Sequence, residues 1–152
     1  MASEPSGSVN QPLALVCVDD EVRQGAVTEA LGELGYRVET GVTHVEVIDR
    51  LRKVSYEVIV LDETFQSATP HDNALLAAIQ LMPMTTRRYI FVTLLGPDIK
   101  TLDHMLAFAK SVNLVVGYAD IREIKELLTR GIAENDQFYR VFRQVLQEAG
   151  KR

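Results

Sequence analysis

Short apolar runs alternate with segments of helical periodicity along most of the chain. Residues 13–18, 58–61, 89–95 and 114–116 are runs of mainly aliphatic residues without a charged break. Residues 36–40 form a shorter segment in which apolar and polar side chains alternate. Continuous apolar runs of this length are typical of strands covered on both faces, as in a parallel sheet packed between helices. The pattern therefore predicts a sheet of five strands.

Apolar residues recur at helical spacing between these predicted strands. In order along the chain they are Val22, Ala26, Ala30, Leu31 and Leu34; Val47, Ile48, Leu51 and Val54; Leu75, Leu76, Ile79 and Met82; Leu102, Met105, Leu106, Ala109 and Val112; and Ile121, Ile124, Leu128 and Ile132. Gly35 is placed to end the first helix, Thr43 and Glu46 form a capping box before the second, and Asp72 or Asn73 can cap the third. Regular alternation of strands and helices predicts an α/β fold with helices on both faces of the sheet.

The two ends of the chain depart from this alternation. Residues 1–12 contain serine, proline and glycine with little to bury, which predicts a disordered tail. Residues 13–132 predict one α/β domain. Asn135 or Asp136 can cap a sixth helix, so residues 133–152 predict a C-terminal helical extension. This extension carries an apolar stripe of Phe138, Val141, Phe142, Val145 and Leu146. The stripe either covers its own domain or, as we expect, contacts a protein partner or a second copy of the chain.

Composition excludes several classes of function. The net charge is −5 and no window is strongly basic, so duplex nucleic acid is not an expected partner. No apolar run approaches the ~20 residues of a membrane span, and the N-terminus lacks the pattern of a signal peptide, so we expect a cytoplasmic protein. Cys17 is the only cysteine and lies in an apolar run, where it is expected to be a small core residue.

Acidic residues follow two of the predicted strands directly. Asp19 and Asp20 come after the first strand, and Asp62 ends the third. If these strands are neighbours, the three carboxylates meet at the carboxyl edge of the sheet, where α/β proteins bind ligands. Without a cation such carboxylates would raise one another's pKa, and Mg²⁺ is the ion that this oxygen-rich site predicts. The alternative is that these acids cap helices or turns, and one of the pair can do so while the other binds metal.

These features together resemble the receiver domain of bacterial response regulators, of the chemotaxis type. The resemblance covers residues 13–132 and rests on the acidic pair followed by Glu21, on Asp62 ending the third strand, and on Thr93 ending the fourth. It implies a flavodoxin-like doubly wound (βα)5 sandwich with the parallel strand order 2-1-3-4-5, here with an added C-terminal helix.

The resemblance also implies a role for each acid. Asp62 would be the phosphoacceptor, and Thr93 would be the switch hydroxyl that contacts the phosphoryl group. Asp20 would bind Mg²⁺ directly, Asp19 would act through water, and the Thr64 carbonyl would complete the metal site. The phosphodonor would be a sensor histidine kinase of a two-component phosphorelay. Such a chain is not an enzyme beyond autocatalytic phosphoryl transfer onto its own aspartate.

Some residues depart from the receiver pattern. Gly117 and Tyr118 stand where receivers carry lysine and proline, and Leu94 stands where a small residue usually follows the switch threonine. Two hypotheses therefore remain, a phosphorylated receiver and a pseudo-receiver that binds or localises partners without phosphorylation. A flavodoxin-like small-ligand binder is a weaker third hypothesis, because Asp19 and Asp20 would repel a phosphate at the first loop.

Overall fold

A computed structural model describes residues 11–69 and 72–150, so the predicted tail falls almost entirely outside the described residues. The strands are β1 (Leu13–Cys17), β2 (Arg37–Thr40), β3 (Val58–Asp62), β4 (Phe91–Gly96) and β5 (Leu114–Gly117). The α-helices are α1 (Glu21–Glu33), α2 (His44–Leu51), α3 (Ala74–Gln80), α4 (Met84–Arg87), α5 (His104–Lys110) and α6 (Ile124–Glu148). Single 3-10 segments span Phe65–Ser67 and Tyr118–Glu123.

The five strands form one parallel sheet in the order β2-β1-β3-β4-β5. This confirms the predicted (βα)5 architecture and its strand order. Because β1 and β3 are neighbours, with Cys17 opposite Leu61, the residues that follow both strands lie at the same carboxyl edge. On the other side of β3, Asp62 lies opposite Leu95 of β4.

Helices cover both faces of the sheet, and side chains alternate between the faces along each strand. Helices α2, α3 and α5 pack on one face, where they bury Val47, Leu75 and Ala107 against the sheet. Helices α1 and α6 pack on the other, where they bury Leu31 and Leu128. These two apolar layers account for the continuous hydrophobic runs in the sequence.

Several predicted helix signals are confirmed. The Thr43 hydroxyl accepts from the Glu46 backbone N–H at 3.2 Å before α2, and the Asn73 side chain accepts from Leu76 N–H at 2.9 Å before α3. Gly35 follows α1 with a φ of +97°, the left-handed conformation that favours glycine. Local capping chemistry therefore fixes where these helices begin and end.

The C-terminal helix differs from its prediction. α6 is one continuous helix of 25 residues, so the predicted separate sixth helix, with a cap at Asn135 or Asp136, is wrong. Asn135 instead lies inside the helix and accepts a hydrogen bond from the Asn113 side chain at 3.4 Å. The proposed boundary between residues 132 and 133 thus falls within a single element. Among the described residues, no helix is long and apolar enough to cross a membrane.

Candidate functional site at the carboxyl edge of the sheet

Asp62 is the last residue of the central strand β3 and is only 1% exposed. Its side chain lies on the same face of the sheet as Val58 and Val60, which pack against α1 and α6. A carboxylate in such a buried position must be neutralised or fully hydrogen-bonded. The residues around it meet both requirements.

Both carboxylate oxygens of Asp62 accept hydrogen bonds from neighbouring side chains. The Tyr118 hydroxyl lies 2.7 Å from Oδ1 and 2.9 Å from Oδ2. Oδ1 also accepts from the Thr64 backbone N–H at 3.0 Å and from the Thr64 hydroxyl at 2.9 Å. Burial of the Tyr118 ring raises the pKa of its phenol, and the hydrogen bond to Asp62 adds to this, so the hydroxyl remains a donor. Thr64 therefore donates to Asp62 through both its backbone N–H and its hydroxyl, and the metal-binding role of its carbonyl stays a prediction.

Arg23 supplies the positive charge of the site. It projects from the first turn of α1, and its Nε lies 3.6 Å from Asp62 Oδ2. Nε is buried and has no hydrogen-bond partner in the described part of the chain, so the attraction to Asp62 is ionic. The guanidinium carbon lies 3.6 Å from the centroid of the Tyr118 ring, a cation–π contact. Arg23 and Tyr118 thus close over the carboxylate together.

The acidic pair after β1 does not join Asp62 in a common cluster. Asp20 caps α1, because its Oδ2 accepts from Arg23 N–H at 2.9 Å, and the same oxygen lies 3.8 Å from the Arg23 guanidinium. Asp19 accepts from the Gln66 backbone N–H at 2.7 Å and from its side-chain amide at 3.1 Å. These contacts hold Gln66 at a φ of 53° in the left-handed region. The alternative role considered for the pair, capping and turn formation, is the one that both residues adopt.

This donor set does not fit the predicted magnesium site. The residues that the structure describes contain no group of three or more His, Cys, Asp or Glu side chains able to hold a metal ion. Both Asp62 oxygens are engaged, and an arginine already balances the charge that Mg²⁺ would neutralise. In this arrangement Asp19, Asp20, Asp62 and Thr64 therefore do not offer Mg²⁺ a common set of ligands, and the metal site stays a prediction. The cation beside Asp62 is the Arg23 side chain.

Thr93 lies inside β4 and is not the residue opposite Asp62, and its role as a switch hydroxyl stays a prediction. Strand β4 continues for three residues beyond it, and Thr93 pairs with Val60, whereas Leu95 is the residue opposite Asp62. Its hydroxyl is buried without a hydrogen-bond partner among the described residues. Leu94, expected to cover the site, is instead buried in the core on the opposite face. The prediction that Thr93 ends β4 is thus wrong, because the strand extends to Gly96.

Backbone atoms of the loop before α5 occupy the space that the side chain of the missing lysine would need. A Cβ on Gly117 would lie 2.2 Å from the Ile99 carbonyl oxygen. The Gly117 N–H donates to the Thr101 hydroxyl at 2.9 Å, and that hydroxyl donates to Asp120 at 2.5 Å. Asp120 therefore holds this loop ahead of α6, which begins at Ile124. The loop before α5 leaves no space for a side chain at Gly117.

Sequence comparisons give no relative for this chain. No protein-family model matches it. No curated protein matches it either. The fold is therefore assigned from its similarity to solved structures.

The fold matches solved receiver domains over about four-fifths of the chain. The chemotaxis response regulator CheY4 of Vibrio cholerae has 16% identity and a TM-score of 0.64, covering 80% of this chain and 99% of its own. The receiver domain of the sensor histidine kinase PA1611 from Pseudomonas aeruginosa, with a magnesium ion in its active-site cleft, has 18% identity, a TM-score of 0.62 and coverages of 81% and 98%. A CheY-like receiver domain protein from Methanospirillum hungatei has 14% identity, a TM-score of 0.63 and coverages of 84% and 98%. The chain thus has the fold of response-regulator receiver domains.

Proposed function

We propose that this chain is a signalling module of the receiver type that acts through protein–protein contacts without phosphorylation of Asp62. The observation that supports this proposal is the closed state of Asp62, whose two oxygens are engaged by Tyr118 and Thr64 beside the Arg23 guanidinium. A phosphoacceptor needs an accessible oxygen lone pair in line with the incoming phosphorus. Asp62 is only 1% exposed, and the Tyr118 hydroxyl lies within hydrogen-bond distance of both its oxygens.

The surroundings of Asp62 also disfavour the product of phosphorylation. An acyl phosphate would add about two negative charges at this edge. A lysine at Gly117 cannot supply compensation, because a side chain there collides with the Ile99 carbonyl. Thr93 lies two positions before Leu95, the β4 residue opposite Asp62, so its hydroxyl is not beside the carboxylate. The groups expected to stabilise a phosphoryl group are therefore missing from the positions where they would act.

Phosphorylation by a sensor histidine kinase remains the second candidate function. The position of Asp62 at the end of the central strand, in a fold shared with a magnesium-bound receiver, favours it. This function would require Arg23 and Tyr118 to leave the carboxylate before metal and phosphodonor could enter. A flavodoxin-like ligand site at the same edge has no such support, because these side chains fill it.

Chemical phosphorylation separates the two candidates. The protein is incubated with acetyl phosphate and Mg²⁺, and its intact mass is measured alongside that of Asp62→Asn. We expect no added mass in the wild type. The double variant Arg23→Ala with Tyr118→Phe opens the site. If it gains a phosphoryl group, and the further change Asp62→Asn abolishes that gain, then the contacts of Arg23 and Tyr118 are what prevent phosphorylation of the wild type. Stoichiometric addition to the wild type that disappears in Asp62→Asn would contradict the proposal.

We also propose that the C-terminal half of α6 provides a contact surface for a protein partner or a second copy. Tyr139 and Phe142 are half-buried, whereas Phe138, Val141, Val145 and Leu146 are exposed. Phe138→Ser and Val141→Ser should leave the fold intact and lower the mass measured by light scattering, or abolish capture of a partner. Val22→Ser, at an exposed apolar position on α1, is the control.

A further inference from the structure

A second concave site lies at the opposite, amino-terminal edge of the sheet. It is a pocket of about 600 Å³ between the C-terminal half of α6 and the segments that lead into β3 and β4. This volume is within the roughly 300–1,000 Å³ range of ligand pockets. The pocket exists because α6 continues past the sheet and places its second half over this edge. We call it the amino-edge pocket.

Three arginines line the amino-edge pocket, namely Arg88, Arg140 and Arg143, against two carboxylates, Glu57 and Asp136. Arg140 and Arg143 are exposed and are three residues apart on α6, so they project to the same side. Within residues 11–69 and 72–150, neither side chain forms an ion pair or a hydrogen bond. A pair of free guanidinium groups on one wall of a pocket is suited to a bidentate oxyanion such as phosphate.

The remaining walls include flat aromatic side chains and the third guanidinium. Tyr89 lies on the wall facing α6 and is 65% exposed. Tyr139 is half-buried and packs edge-on against Phe142 with ring centroids 6.1 Å apart. Arg88 is held by a hydrogen bond to the Met84 carbonyl at 3.1 Å, and its guanidinium lies 5.5 Å from the Phe142 ring centroid. Tyrosine rings and guanidinium planes are the groups on which a heteroaromatic base stacks.

We propose that the amino-edge pocket binds a nucleotide, with its phosphate on Arg140 and Arg143 and its base against Tyr89. The chain carries a net charge of −5, so attraction of an anion to this pocket is local and does not follow from overall charge. The site is separated from Asp62 by the length of the strands, since the two lie at opposite edges. The proposal therefore stands whether or not Asp62 is phosphorylated.

The test uses AMP, GMP, adenosine and inorganic phosphate as separate probes of the full chain at constant ionic strength. Amide shifts in two-dimensional NMR spectra report binding around residues 88–89 and 135–143. We expect saturable binding of AMP or GMP, with adenosine and phosphate each weaker by about tenfold or more, which corresponds to about 1.4 kcal/mol.

Variants assign the contacts. Arg140→Ala and Arg143→Ala should each weaken nucleotide binding by about tenfold. Tyr89→Ala should weaken nucleotide binding and leave phosphate binding unchanged. Arg122→Ala removes an exposed arginine outside the pocket and is the control for charge alone. Unchanged thermal unfolding verifies that each variant is folded.

Three results would overturn the proposal. The first is an absence of saturable shifts with both nucleotides. The second is an equal loss of affinity in Arg122→Ala, which would indicate nonspecific attraction of anions. The third is phosphate binding as tight as nucleotide binding, which would leave a simple anion site without a role for Tyr89.

Discussion

The two edges of the sheet use arginine in opposite ways. At the carboxyl edge, Arg23 lies against a buried carboxylate and an aromatic ring, with its side chain 26% exposed. At the amino edge, Arg140 and Arg143 are exposed beside a pocket and, within the described part of the chain, have no carboxylate partner. The same residue type therefore stabilises the protein at one edge and is free to bind an external anion at the other.

This difference follows from burial. A buried carboxylate carries a large desolvation cost, so the fold brings a cation and hydrogen-bond donors to it. An exposed guanidinium is satisfied by water and imposes no such requirement. Substitutions at the carboxyl edge should therefore change stability, whereas substitutions at the amino edge should change binding alone.

The largest expected effect is that of Gly117→Lys, the change that restores the lysine of the receiver pattern. Its Cβ would lie 2.2 Å from the Ile99 carbonyl oxygen, so the loop before α5 must move. We expect the free energy of unfolding to fall by about 3 kcal/mol in urea titrations. Gly25→Ala in α1, where a Cβ meets nothing within 4 Å, is the control and should not destabilise. A stable Gly117→Lys protein that accepts phosphate would show that the carboxyl edge is open.

Tyr118→Phe should have the next largest effect. It removes the hydroxyl whose single proton is shared between the two oxygens of Asp62, and it leaves a buried carboxylate with fewer donors. We expect a loss of about 2 kcal/mol of unfolding free energy, measured by denaturant titration. Tyr89→Phe, at an exposed tyrosine of the amino edge, is the matched control and should change stability little.

Arg23→Gln should cost about 1–2 kcal/mol, less than the loss of a fully buried charge, because part of the Arg23 side chain reaches solvent. A double-mutant cycle with Asp62→Asn should reveal a coupling of similar size. Arg140→Gln should shift stability by no more than about 0.5 kcal/mol. Equal effects of Arg23→Gln and Arg140→Gln would remove the contrast between the two edges.

The smallest expected effect is on stability in alkali. Burial raises the pKa of Tyr118 above its ordinary value of 10.0, so ionisation of this phenol is disfavoured in the folded state. Its contribution to stability is complete below pH 10.0 and is lost as the pH rises through the folded-state pKa. Tyr56, whose pKa is raised to about 12, adds a decline of the same sign. Above pH 10.0, the thermal unfolding temperature of Tyr118→Phe should therefore fall less steeply with pH than that of the wild type. It should still fall, because Tyr56 is unchanged.

The fold could be predicted from the sequence because each of its signals is local. Strand length, helical spacing and capping residues such as Thr43 and Asn73 act over a few residues and agree with one another. The position of Asp62 at the carboxyl end of a buried strand follows from the same pattern. These predictions needed no knowledge of long-range contacts.

The partners of Asp62 could not be predicted in this way. Arg23 is separated from it by 39 positions (62 − 23) and Tyr118 by 56 (118 − 62), and nothing in their local sequence indicates that they meet. The only signal in the sequence was a departure from the receiver pattern: Gly117 and Tyr118 stand where lysine and proline are expected. It indicates a changed site, but it does not identify the partners of Asp62. The wrong helix prediction at Asn135 came from a local signal. Asparagine is a good capping residue, but it is tolerated inside a helix when its side chain finds a partner such as Asn113.

A magnesium titration of the wild-type protein tests the closed carboxyl edge most directly. Amide shifts of Asp20, Asp62, Thr64 and Tyr118 are followed as Mg²⁺ is raised to millimolar concentration, with Arg23→Gln as the comparison. We expect no saturable shift at these positions in the wild type, because Arg23 already neutralises Asp62. Larger shifts are expected in Arg23→Gln, where a buried carboxylate has lost its cation. Saturable shifts of the wild-type Asp62 and Thr64 amides at millimolar Mg²⁺ would contradict a closed carboxyl edge.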